Sequence, residues 1–257
     1  IMDLGYFKFE RFHEIQRYGA FFISRFKFNT TAYILKDGVY QPINLIEIKN
    51  QMKQGEQKVM SIYIGPLKLP TRLILEKVPE PVANEKRRKL KTDKQNKRKN
   101  LSKERLELCD LNAYITNTSE EQLSLKQVRE YYGLRWQIEI IFKAWKSVYK
   151  IDMVKKMKLE RFECIHYATL ILILLTTQLI NYGRVLLYNT QKEELSELKM
   201  FKTLKLLLTE LKMAIKKTEQ EIIEFLDLLE TSLLITCVKQ QKRGKKTPYN
   251  IVNICLT

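Results

Sequence analysis

Four side chains within one short stretch have the types and the spacing to do chemistry together: Tyr132, Arg135, Glu139 and Lys146. They lie in Tyr-Tyr-Gly-Leu-Arg-Trp-Gln-Ile-Glu-Ile-Ile-Phe-Lys-Ala-Trp-Lys, which has no proline and a single glycine near its start, so a helix is predicted. At about 100° per residue the four fall within an arc of about 60°, with Leu134, Ile138, Ile141, Trp145 and Val148 gathered on the opposite face. A carboxylate in such a stripe is the hard oxygen ligand that divalent cations prefer. The guanidinium and the ammonium suit phosphates beside it, and the phenol hydroxyl suits the positioning of one. The same spacing is also explained by a plain Arg135–Glu139 ion pair one turn apart, worth only about 0.3 kcal/mol.

The pattern Tyr-x2-Arg-x3-Glu-x6-Lys resembles the signature of bacterial insertion-sequence DDE transposases of the insertion-sequence-four group. The flanking Arg-Trp-Gln-Ile-Glu and Phe-Lys-Ala-Trp-Lys are similar as well. The resemblance implies that Glu139 is the third metal-binding acid of a ribonuclease-H-like core, and that Tyr132, Arg135 and Lys146 contact transposon-end DNA. At the start of the chain, Ile1-Met2-Asp3-Leu4-Gly5-Tyr6-Phe7 resembles the family's second acid motif, an aspartate that ends an apolar strand before a glycine turn. Asp3 and Glu139 are then the implied catalytic residues and the implied ligands of Mg2+ or Mn2+. The implied reaction is two-metal phosphoryl transfer, in which acidic side chains hold two ions about 3.5–4 Å apart.

The family's first catalytic aspartate lies upstream of its second, and only two residues precede Asp3. The expectation is therefore the carboxy-terminal part of a transposase whose parent cleaves and joins transposon-end DNA, the isolated chain itself being inactive. The alternative is a catalytically dead DNA-binding or inhibitory remnant that associates with full-length transposase. A basic helical interaction protein, its stripe mere ion pairing, is the third reading.

Elements must bring these residues together. Phe9, Phe12 and Ile15 recur at helical spacing, Gly19 ends that helix, and residues 20–25 read as a short strand. Asp37-Gly38 marks a hairpin turn, and residues 58–64 and 71–78 are further strands. Residues 113–117 form another strand, Ser124 starts the helix toward Tyr131, and the chain is helical from Lys146 onward. The fold class expected is α/β. Residues 1–28 and 113–190 are the two parts of a ribonuclease-H-like core, 29–112 a β-rich insertion with a basic arm, and 191–257 a C-terminal helical region.

Across 257 residues the formal net charge is +17. Such an excess favours a polyanion, by counterion release from nucleic acid or attraction to an acidic membrane. Residues 86–99 hold nine of the basic side chains. A solvated helix or linker explains such a run, but in a chain with this resemblance we read a phosphate-contacting arm, with Arg87, Arg88, Lys89 and Arg98 as DNA contacts. Cys109, Cys164, Cys237 and Cys255 show no paired spacing, which argues against a zinc site or disulfide framework. The apolar run Ala168–Ile180 is interrupted by threonines and reads as a buried helix beneath the core sheet, too short for a membrane span. The expected partners are DNA, at transposon ends and target, and other transposase copies, with no membrane. The expected location is the cytoplasm, at the nucleoid.

Overall fold

Apolar residues alternate along several short segments near the start of the chain, and each alternation ends at a glycine, a proline or an aspartate. The computed structural model, which describes residues 1–96, 101–216, 218–240 and 246–253, folds these segments into a sheet. Two compact units divide the chain, Ile1–Arg135 and Trp136–Thr257. The first runs α1 (Phe9–Arg17), β1 (Ile23–Arg25), β2 (Ala32–Lys36), β3 (Val39–Pro42), α2 (Leu45–Gln51), β4 (Gln57–Ile64), β5 (Leu69–Lys77), α3 (Glu80–Asn96), α4 (Lys103–Glu107), β6 (Leu111–Thr116) and α5 (Leu125–Gly133). Its six strands lie in the order β1-β6-β5-β4-β2-β3, each antiparallel to its neighbours.

Turn chemistry sets the register. Lys36 faces Val39 across a two-residue turn in which Asp37 and Gly38 take φ of 50° and 77°. That left-handed pair matches the twist of the flanking strands, which makes Asp-Gly a strong hairpin signal. One face of the sheet carries Ile62, Ile64, Leu73, Leu75 and Ile115, packed with Phe12 of α1 and Phe22 in the main apolar cluster. The other face offers Ile23, Ile74 and Tyr114 to Val128 and Tyr132 of α5. Met2 forms a parallel bridge with Ser24, so Met2, α1 and β1 make a right-sized parallel crossover.

This sheet runs through the segment boundaries expected from the sequence. Strands β2 to β5, in the segment 29–112 expected as a β-rich insertion, join β6 through the β5–β6 ladder from Arg72↔Thr116 to Lys77↔Leu111. The cause is phase: Leu73 pairs with Ile115 and Leu75 with Ala113, so joining the ladders extends a single apolar face.

The second unit is helical: α6 (Trp136–Ala144), a π-helical turn Trp145–Tyr149, α7 (Leu159–Gln191), α8 (Glu197–Leu206), α9 (Leu208–Ile215), α10 (Glu219–Thr236) and α11 (Pro248–Asn253). Val148, Ile180, Leu187, Phe201, Leu229 and Leu233 belong to its core. Two expectations are corrected here. The helix predicted across Tyr132–Lys146 is not continuous. After Gly133 the Leu134 and Arg135 N–H groups donate to Tyr131 and Tyr132 carbonyls at 2.8 and 3.2 Å, a tighter three-residue pattern. Glycine, the weakest helix former after proline, sits at that joint.

The run Ala168–Ile180, expected as a buried helix, lies inside α7, which packs with α8 and α10 in the helical unit, but Ile171, Leu174 and Leu175 within the run are exposed. Nor is it short. The helix extends past the run at both ends, and α7 is long and apolar enough to cross a membrane by length and composition alone. A core helix of a soluble protein meets the same criterion. Gly183 lets α7 approach its neighbours, since a Cβ there would lie 2.8 Å from Leu233 Cδ1 and 3.5 Å from Leu195 Cδ1. Gly183→Leu is therefore expected to destabilise the helical unit by about 2 kcal/mol through overpacking, read as a lowered urea midpoint.

Candidate metal and DNA site

Asp3 follows the bridging residue Met2, whose N–H donates to the Ile23 carbonyl at 2.8 Å. Extended backbone at Asp3 then turns into a short 3-10 helix, Leu4–Tyr6, which Asp3 caps by accepting the Gly5 N–H at 3.1 Å. The other carboxylate oxygen accepts from Arg135 Nη1 at 2.5 Å. Two residues 132 positions apart thus meet at the joint where α5 ends. The side chain of Asp3 is 44% exposed and that of Arg135 only 23%. A carboxylate oxygen accepts more than one bond, so both oxygens keep lone pairs for a further partner.

Tyr132 stands behind this pair. Its ring is buried against Tyr114, edge to face at 5.4 Å, and two guanidiniums approach it, Arg25 at 5.6 Å and Arg135 at 5.8 Å. Burial pushes its phenol up from the ordinary value, outweighing Arg25 and Arg135, which pull it down. The group therefore stays a phenol, able to donate a hydrogen bond but not to act as a base near neutrality. Tyr132, expected to contact DNA, has its ring beside the Arg135 guanidinium. Sequence reasoning missed Arg25 altogether, because an arginine ending a short strand carries no local signal.

Glu139 and Lys146 belong to the helical unit. Both line an open groove of about 590 Å³ with Phe142, Lys143, Ser147 and Asp152. Glu139 lies in the first turn of α6, and Lys146 in the π-helical turn. That turn closes at Lys150, which takes a left-handed conformation with φ of 54°. Two contacts hold it. The Tyr149 hydroxyl donates to Thr176 Oγ1 at 2.9 Å, and Lys205 Nζ donates to the Val148 carbonyl at 2.9 Å. Lysine 143 and Asp152 were not singled out by sequence, although Lys143 is one turn after Glu139 and so shares its face.

Hard oxygen donors are what magnesium selects, and it is commonly held by one or two carboxylates with phosphates and water completing its shell. Asp3 and Glu139 fit that chemistry one at a time. Among the described residues, no group of three or more histidine, cysteine, aspartate or glutamate side chains gathers.

The described residues of the basic arm form α3, and their cations divide into two kinds. Lys86 donates to the Leu111 carbonyl at 3.1 Å and to Asn112 Oδ1 at 2.6 Å, and burial lowers its pKa. Arg87 donates to the Leu106 carbonyl at 3.3 Å and Asn84 Oδ1 at 2.6 Å, and pairs with Asp110. Arg87, expected on DNA, here ties α3 to the segment before β6. Arg88 and Lys89 are exposed, with Lys89 paired to Glu85 at 2.6 Å on the same helix. Arg98 lies outside the described residues.

A family profile described as Transposase DDE domain matches residues 1–175, which include Asp3 and all four residues of the stripe. The chain belongs to the DDE transposase family. Among curated members, the transposase for insertion sequence element IS1151 of Clostridium perfringens is 36% identical over 269 aligned positions, covering 99% of this chain and 57% of that protein. The transposase for IS231F of Bacillus thuringiensis subsp. israelensis is 35% identical, covering 99% and 56%. The putative transposase InsL for IS186A of Escherichia coli (strain K12) is 30% identical over 132 positions, covering 50% of this chain. The chain thus spans just over half the length of the first two relatives. No solved structure matches it. The mixed α/β architecture, with its antiparallel sheet and many helices, is consistent with a DDE transposase fold. The matched domain ends within α7, so α8 to α11 of this DDE transposase chain lie beyond the family profile.

Proposed function

We propose that this chain supplies the second and third metal-holding acids, and the end-DNA contacts, of an insertion-sequence transposase of the insertion-sequence-four group. The parent activity is cleavage and joining of transposon-end DNA. The observation that carries this reading is the Asp3–Arg135 contact. It joins the acid motif at one end of the matched domain to the tyrosine–arginine–glutamate–lysine motif near the other. A divalent ion, Mg2+ or Mn2+, would be held by Asp3 and Glu139, and when bound it supplies activation of the attacking oxygen and neutralisation of the leaving one.

The chain's own residues do the rest. Arg25, Arg135 and Lys146 receive backbone phosphates, Tyr132 orients the Arg135 guanidinium, and Arg88, Lys89 and Arg98 add affinity that carries no base code. In this reading residues 1–28 and 113–190 are the ribonuclease-H-like core, and the parallel crossover of Met2, α1 and β1 supports it. Residues 29–112 are the insertion and 191–257 the helical region. The 257-residue polypeptide, tested alone, binds DNA without cutting it and associates with full-length transposase at the nucleoid in the cytoplasm, off the membrane. Two acids are too few to align two ions, and misplacement by about 1 Å already costs about a hundredfold.

The test is duplex binding as a function of salt. Log affinity should fall steeply with log salt, and Arg88→Ala with Lys89→Ala should flatten the slope by about two, one for each phosphate contact removed. Arg87→Ala should instead lower the melting temperature and leave the slope almost unchanged. Failure of the wild-type chain to bind duplex DNA at low salt, or an Arg135→Ala variant that binds as tightly as wild type, would sink the proposal.

A further inference from the structure

The sheet face that meets α5 continues well past it. The apolar cluster under α5 takes in Ile23, Ile74 and Tyr114, on β1, β5 and β6. By register the same face then presents Tyr63 on β4, Tyr33 and Leu35 on β2, and Tyr40 on β3, since Tyr33 faces Tyr63 and Leu35 faces Tyr40. Leu35 is 48% exposed and Tyr40 40%, and the Tyr33 and Tyr63 rings are half-buried. Tyr40 and Tyr63 meet edge to face at 5.0 Å. Over the rings lies Lys68, with its ammonium 2.8 Å from the Tyr33 centroid and 5.4 Å from that of Tyr40. The Lys68 backbone takes φ of 47°, a region lysine seldom adopts, in the turn that follows β4.

We propose that Tyr40 and Tyr63, with Lys68 seated on the neighbouring Tyr33 ring, form a stacking platform for unpaired bases of single-stranded DNA. This rests on the reading of the chain as a DNA-binding protein and adds the form of DNA that this face takes. Aromatic rings on neighbouring strands lie about 5 Å apart. Successive bases of a stretched strand step by a similar distance, and any base offers a π face. Sequence-tolerant single-strand sites are built this way, from aromatic rings on a sheet and cations that follow the backbone. Lys68 is the cation over the rings; Arg72, on the same face, is turned to Thr118 Oγ1 and the Leu123 carbonyl with the Glu120 charge acting on it, and the first carboxylate along β5, Glu76, pairs with Arg129. A duplex, its bases stacked on one another, cannot use the rings. Cutting and joining of DNA ends exposes unpaired strands, so the ligand class is at hand.

The experiment compares binding of a fluorescent oligothymidylate of fifteen nucleotides and of a duplex, by anisotropy, to the full chain and its variants. Tyr40→Ala is expected to weaken single-strand binding about tenfold, the lower part of what one lost stack costs, with duplex binding unchanged. Tyr40→Trp should retain binding and show fluorescence quenching on titration. If Tyr40→Ala lowers the melting temperature yet leaves single-strand affinity intact, the cluster only stabilises the hairpin and the proposal is overturned. Equal losses for both DNA forms overturn it as well, in favour of a general phosphate contact. Wild-type binding of duplex alone defeats this inference and spares the functional reading; binding of neither defeats both.

Discussion

Replacing Asp3 with asparagine is expected to weaken divalent-metal binding at the second acid and, at the same time, to tighten the grip on DNA. The two effects have one origin. The Asp3 carboxylate is a hard-oxygen ligand, and it also accepts from Arg135 at 2.5 Å. The amide keeps the shape and loses the charge, so the metal loses a ligand while the Arg135 guanidinium loses its anionic neighbour. Mn2+ affinity, followed by loss of the free-ion electron paramagnetic signal, should fall at least about tenfold, as expected when a binding carboxylate goes. Duplex affinity at about 0.1 M salt should rise two- to fivefold, an effect that falls with added salt. Arg135→Ala should do the reverse, weakening DNA binding and leaving Mn2+ binding in place. The pair is partly exposed, so the coupling energy from the double variant should be no more than about 1 kcal/mol. Parallel loss of both ligands in Asp3→Asn would mean that the residue holds the fold together and does nothing else.

The second large effect concerns what holds Asp3 in place. Phe12 is fully buried, and its ring lies 5.0 Å from Phe7 and 4.5 Å from Phe22. Phe7 belongs to the same short segment as Asp3, and Phe22 precedes β1, to which Met2 bridges. Truncating Phe12 removes the central ring of three and leaves a cavity that the sheet cannot close. Phe12→Ala is expected to destabilise the first unit by about 4 kcal/mol, within the usual range for a buried aromatic. Urea unfolding followed by circular dichroism should show the loss directly. A change below about 1 kcal/mol would mean that the aromatic cluster is not the anchor of the acid motif.

Much of this architecture was legible because it rests on local rules. The Asp-Gly hairpin, the strands flanking Gly65-Pro66, the helix ending before Gly19 and the start at Ser124 each follow from backbone preferences of a few neighbouring residues. Ser124 and Gln127 form a full capping box. What the sequence concealed is non-local. Nothing near Arg25 announces that it will share the Tyr132 ring with Arg135, and nothing in a run of nine cations distinguishes Arg87, turned inward to Asp110, from Arg88, turned outward. Helical periodicity also described the Tyr132–Lys146 stripe too simply. A glycine joint and a π-helical turn interrupt the stripe, with Asp3, Tyr132 and Arg135 in the first unit and Glu139 and Lys146 in the second.

The antiparallel ladder between β1 and β6 carries a consequence for the order of events at the ribosome. Residues 23–25 have only the Met2 bridge until residues 114–116 exist. At ordinary translation rates of about 5–20 residues per second, β1 waits on the order of ten seconds. Arg135 emerges later still, so the carboxylate of Asp3 gains its partner only when synthesis has passed nearly the whole first unit. A nascent chain interrupted before that point carries the acid without the geometry. Truncated translation products of this gene should therefore lack the Asp3–Arg135 pair, and β1, held only by the Met2 bridge for so long, is the place where a slowed ribosome would expose them to aggregation.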